Sequence, residues 1–172
     1  MTTVVLVEGV SDVAAVRAIG VTAMIIPMGG ATNVRRFVDE LEPSGVRLIG
    51  LCDRNEQRFF SAVLDEFYVC NADLEDELIR CLGTDRVEQL IAEQGDMPAL
   101  RTFQNQPAQR QRSTHDQLHR FMGTLSGRKE RYGAVLAGAL VDLPEPLARL
   151  VATTTPSATH PRSPTRRNRP PR

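Results

Sequence analysis

Apolar residues along the chain change their period several times, and each change marks an element. Val4-Val5-Leu6-Val7 is apolar without polar alternation, the pattern of a strand covered on both faces. Val13, Ala14, Val16 and Ile19 then recur at helical spacing, with Ser11 the expected N-cap and Asp12 in the first turn. Residues 23–27 form a second short apolar run. The turn Met28-Gly29-Gly30-Ala31-Thr32-Asn33 follows, with Thr32 or Asn33 placed to cap a helix reaching about Leu41. Gly45 closes that unit. Residues 46–52 predict a third strand ending at Asp53, 56–65 a helix, 66–70 a fourth strand, and 74–82 a helix stopped by Gly83.

From Thr84 onward the strand pattern is gone. Helical spacing recurs at 85–93, 98–104, 114–122, 128–140 and 145–152, and there is no internal repeat. Four strand-like runs separated by helices predict βαβ units, a parallel sheet and right-handed crossovers, which is an α/β fold. The expected organisation is a core at 1–83, a helical extension at 84–152, and a Thr/Pro/Ser/Arg-rich tail at 153–172 without stable structure.

Charge refines this picture. The 172 residues hold 21 basic and 21 acidic side chains, but Arg162, Arg166, Arg167, Arg169 and Arg172 all sit in the tail. Without those five the balance is 16 against 21, so the folded part is acidic by about five charges. Cys52, Cys70 and Cys81 lack zinc-ligand spacing and read as reduced thiols. There is no apolar run long enough for a membrane span and no basic leader, so a cytoplasmic protein without a membrane partner is expected.

The acids are placed in a pattern. Glu8, Asp53, and Asp73 or Glu75 each follow the end of a different strand. In a parallel sheet those ends share one edge, where ligands of α/β folds bind. Asp12 stands one short turn beyond Glu8. Several carboxylates facing one crevice need a counter-charge, and a hard divalent cation is the usual one. Asp73 is equally well read as a helix N-cap, whereas Glu8 is a poor cap.

These residues carry a resemblance. Glu8-Gly9-Val10-Ser11-Asp12 after an apolar strand, the Gly29-Gly30 turn, and Asp53 after the third strand resemble a Toprim domain. Leu74-Glu75-Asp76-Glu77-Leu78, and Gly127-Arg128-Lys129 ahead of Tyr132, are similar to the Toprim half of overcoming-lysogenisation-defect (OLD) family nucleases. The similarity runs from about Val4 to Leu140. It implies a Toprim-like parallel four-stranded sheet flanked by helices, with a C-terminal helical extension. It also implies that Glu8, Asp12, Asp53 and Glu75 bind one or two Mg2+ or Mn2+ ions, that Glu8 and Lys129 are catalytic, and that Lys129 faces the scissile phosphate of nucleic acid, with DNA the expected substrate. Arg35 and Arg36 are further candidates for the nucleic-acid backbone, or else a solvated helix face.

This sequence departs from the family where many members have Asp-x-Asp after the third strand; here it is Asp53-Arg54-Asn55-Glu56. It also has no Gly-x-x-x-x-Gly-Lys-Ser/Thr loop for ATP. The resemblance therefore implies the Toprim half alone, working by itself, as a homodimer, or with a separately encoded ATPase. Two functions follow: a metal-dependent endonuclease, or a weak or silent Toprim-like module that binds nucleic acid or the ATPase without cutting. His115 and His119 have zinc-compatible i, i+4 spacing but no third ligand, and Ser113 with Asp116 reads as a capping box. The arginine-rich tail would add salt-sensitive affinity for nucleic acid, if it has a role.

Overall fold

The computed structural model describes residues 2–125 and 127–155, so the arginine-rich tail lies outside the described residues. Four strands, β1 (Thr3–Val7), β2 (Met24–Pro27), β3 (Arg47–Asp53) and β4 (Phe67–Cys70), form one sheet in the order β2-β1-β3-β4. All three pairings are parallel, with Val5 opposite Ile25 and Ile49, and Asp53 opposite Cys70.

Helices cover both faces because the central strands are apolar on both. On one face Val5, Val7, Ile49 and Leu51 join the larger core with α1 (Val10–Ala18), α4 (Leu74–Leu82) and α8 (Arg128–Gly138). The same core takes in α5 (Thr84–Glu93), α6 (Met97–Gln104), α7 (Thr114–Met122) and α9 (Glu145–Thr154). On the other face Val4, Leu6 and Cys52 pack with α2 (Val34–Leu41) and α3 (Gln57–Ser61). Gly50 allows this second layer to close, since a Cβ there would stand 2.5 Å from a Phe60 ring atom. The extension after Gly83 thus shares one continuous core with the sheet.

Four local expectations are corrected. Gly9, not Ser11, is the N-cap of α1, and the Asp12 carboxylate at the third helical position reaches back to accept the Gly9 N–H at 2.8 Å. Asn33 precedes α2 but donates from Nδ2 to the Met28 and Gly29 carbonyls, tying down the turn instead of capping the helix. The helix expected over 56–65 shrinks to a 3-10 turn at Arg54–Glu56 and the short α3, since Phe60 and Leu64 have to reach the sheet over Gly50. At the far end α9 runs two residues beyond the expected 152, drawn along β4 where Thr153 and Tyr68 hydroxyls meet at 2.7 Å.

Candidate functional site

The C-terminal ends of β1, β3 and β4 form the rim on which the acids converge. Glu8 follows β1 directly, and its carbonyl accepts both the Gly29 and Gly30 N–H groups at 2.9 and 3.1 Å. Those glycines hold φ of +70° and +125°, which residues with a Cβ rarely adopt. The Gly-Gly turn therefore folds β2's exit back onto the strand tip and fixes where Glu8 begins. Asp12 faces the same end, locked by Gly9. Asp53 closes β3, and Asp73 caps α4 by accepting the Asp76 N–H at 2.8 Å. Glu75, one residue into that helix, is 3% exposed.

That these acids share a field is seen in their proton affinities. Burial pushes Asp53 up to about 7, reinforced by Asp73, Asp12, Glu8 and Glu75. Burial also raises Glu8, with Asp12 and Glu56 adding to it. Asp12 is raised by burial against the opposing pull of the Gly9 N–H and Lys129. Lys129, in the first turn of α8, reaches this cluster with Nζ 3.1 Å from Glu75 Oε2. Burial alone would depress Lys129, but Glu75, and beyond it Asp12 and Asp73, outweigh that and raise it. Glu75 is raised as well, because burial outweighs its cation. One lysine does not neutralise the rim.

Glu75 Oε2 is buried, and Lys129 Nζ at 3.1 Å is its one close partner among the described residues. A buried carboxylate beside further acids, all oxygen donors with one lysine among them, suits a hard cation such as Mg2+ or Mn2+. Among the described residues no three His, Cys, Asp or Glu side chains stand close enough to hold an ion by themselves. The donor set therefore fits a largely hydrated ion held through one or two carboxylates, the habit of Mg2+, and does not fit a closed protein cage. Of the expected ligands, Asp12, Asp53 and Glu75 are coupled to one another and to Lys129 or Glu8 through charge.

Other expected residues lie apart. Arg35 and Arg36 are exposed on α2, on the opposite sheet face from α8, and Arg36 is 3.9 Å from Glu40. Arg54 turns away to donate to the Asn71 carbonyl at 2.9 Å, and Asn55 is exposed. Glu56 makes itself felt at Glu8, so acidity lost at Asn55 is partly returned one residue later.

The structure adds residues that sequence reasoning set aside. His119 Nε2 is 2.7 Å from Asp73 Oδ2, and His115 Nε2 is 2.7 Å from Asp76 Oδ1. The hydrogen bond that His119 donates to Asp73 raises His119 despite burial, and His119 in turn helps lower Asp73. Their i, i+4 spacing on α7 matches these two acids on α4, not a zinc ion. Asp73, Glu75, His119 and Lys129 line a cavity of about 430 Å³ beside the rim. Glu77 is buried too, and its Oε1 accepts the Asn71 N–H at 2.6 Å, which stiffens the link from β4 to α4.

No family model matches the sequence, and no curated protein matches it. Solved structures do. The C-terminal region of the Xanthomonas campestris pv. campestris OLD protein superposes with a TM-score of 0.63 at 19% identity, over 88% of this chain and 93% of that one. The C-terminal region of the Burkholderia pseudomallei OLD protein gives 0.62 at 13%, over 88% and 96%. The chain has the fold of OLD C-terminal regions. The four-stranded, helix-flanked architecture implied by the resemblance is thereby met, and its chemistry has to be argued from the residues.

Proposed function

We propose that this chain is a divalent-metal-dependent endonuclease of OLD type, hydrolysing DNA phosphodiester bonds at the acidic rim. The observation that carries the reading is Asp53 at a strand tip, raised to about 7 by burial and four other carboxylates, with Lys129 the cation beside them. One or two of Glu8, Asp12, Asp53 and Glu75 would hold the largely hydrated ion, Mg2+ or Mn2+, and the others would meet it through its waters. When bound, it acidifies a water and offsets charge on the leaving oxygen. Lys129, already drawn into the acids, meets the phosphate and cancels part of its charge. Glu8, at the open tip of β1 and raised in proton affinity, takes the proton of the attacking water. Arg35 and Arg36, exposed on α2, contact phosphates of the nucleic acid away from the rim.

The test is nicking of supercoiled plasmid in Mg2+ or Mn2+ by the wild type, Glu8→Ala and Lys129→Ala. Metal-dependent nicking lost in both variants supports the reading; absence of nicking with either ion refutes it. A second reading, a module that binds nucleic acid without cutting, is favoured by the lack of three clustered ligands among the described residues and by exposed Asn55. Calorimetric titration with Mg2+ separates the two, since a silent module takes up the ion very weakly.

A further inference from the structure

The cavity beside the rim is the first of three adjoining hollows. Phe103 and Thr124 form the wall between it and a second of about 460 Å³, whose lining includes Phe121, Leu125 and Arg128 and carries no acidic side chain. Leu125 and Arg128 in turn separate the second from a third of about 340 Å³, which Arg131 also lines. Together they form a track along α6, α7 and α8 that starts at Glu75 and Lys129 and leads away from the acids.

Two kinds of group alternate along this track. Cations recur on it: Lys129 and Arg120 at the first hollow, Arg128 at the second and third, Arg131 at the third. Between them lie flat or apolar surfaces. Arg128 sits 4.1 Å over the Phe121 ring, and Nη1 donates to Thr124 Oγ1 at 2.7 Å, so the guanidinium is fixed in place. Leu125 is 58% exposed at the boundary of the second and third hollows, where it offers apolar surface beside Arg128. Asp96, the one acid on the third hollow, is bound to Arg131, lies 3.9 Å from Arg128 Nε and accepts from the Tyr132 hydroxyl at 2.9 Å, so it offsets part of the charge of both arginines. Arg120 is the cation of the track left without an ion pair among the described residues, and is free to meet an anion.

A duplex presents phosphates outward and hides its bases, so it could use the cations but not the apolar walls. Unpaired nucleotides use both, with phosphates on the cations and bases against the apolar or guanidinium surfaces. We infer that the track binds a single-stranded segment of nucleic acid leading into the acidic rim. This rests on the nuclease reading for its direction, but the binding itself does not.

The test is fluorescence anisotropy of an end-labelled twelve-nucleotide oligo(dT), and of its duplex with oligo(dA), in EDTA so that nothing is cut. The wild type is expected to bind the single strand about tenfold more tightly than the duplex. Leu125→Ala should weaken single-strand binding about three- to tenfold with little change in salt dependence. Arg120→Ala should weaken it and lower the slope of log affinity against log salt by about one. Both positions are exposed, and circular dichroism verifies that the variants fold. Equal or tighter duplex binding, or unchanged affinity in both variants, overturns the inference. Oligonucleotide binding that persists while plasmid is never nicked refutes only the nuclease reading; nicking that persists while the variants bind oligo(dT) normally refutes only the track.

Discussion

The two ends of β3 treat charge in opposite ways. At its start Arg47 meets Glu66 through Nε and Nη2 at 3.1 and 2.6 Å, and Glu66 also accepts the Tyr68 hydroxyl at 2.9 Å. Arg149 lies over the Tyr68 ring, 5.0 Å from its centroid. Arg47, Glu66 and Arg149 each have an opposite or a donor there, and the remaining acids beside them, Glu42 and Asp65, are exposed to solvent. At the other end, six residues along the same strand, Asp53 is buried among acids that raise it to about 7, and the single Lys129 is spoken for by Glu75. A fold able to satisfy one end of a strand so fully has not done so at the other. Unrelieved charge concentrated at one rim is where the proposed ion would complete the balance.

The comparison is broken most severely by emptying the rim. Glu8→Ala and Lys129→Ala should each cut metal-dependent plasmid nicking on the order of 100-fold or more, while Arg47→Met at the opposite end leaves the rate unchanged.

Next is the effect of proton affinity on stability. Asp53 holds its proton to about 7 in the folded chain, against about 3.9 when unfolded. Between those values the unfolded chain releases the proton first, so this group's stability contribution falls as pH rises from about 4 to about 7 and stays low above it. Asp53→Asn removes the conflict. It should stabilise the metal-free protein by about 1–2 kcal/mol at pH 8, and by much less at pH 5, in denaturant melts. Saturating Mg2+ should erase that advantage, since only the wild type gains from binding.

Smaller again is the support beneath Lys129. A Cβ at Gly133 would stand 3.2 Å from the Ser11 carbonyl, so Gly133→Ala pushes α8 off α1. The expected cost is about 1 kcal/mol of stability, with a several-fold loss of nicking because Lys129 lies one turn earlier on α8. Smallest is the satisfied end itself. Arg47→Met should lose about 0.5–1 kcal/mol, read in the same melts, because both partners of that pair are partly exposed.

The elements were written into the sequence by itself. Period and punctuation are local, so β1, the stop at Gly83 and α7 over Thr114–Met122 were readable from spacing, glycine and the Ser113 cap. The placing of Glu8 and Asp53 at strand ends was readable too, since parallel strands put their C-termini on one edge. Helix caps were harder: Ser11 had the right chemistry, but the backbone let Asp12 reach Gly9 first. What only the tertiary structure decided is which side chains meet across distance. His119 finds Asp73 46 residues away, and His115 finds Asp76 39 away. Lys129 reaches Glu75, and Leu125 is left uncovered beside Arg128. A period says which face of a helix is turned inward; what that face encounters is set by packing one element against others remote in the chain, and only the assembled core determines it.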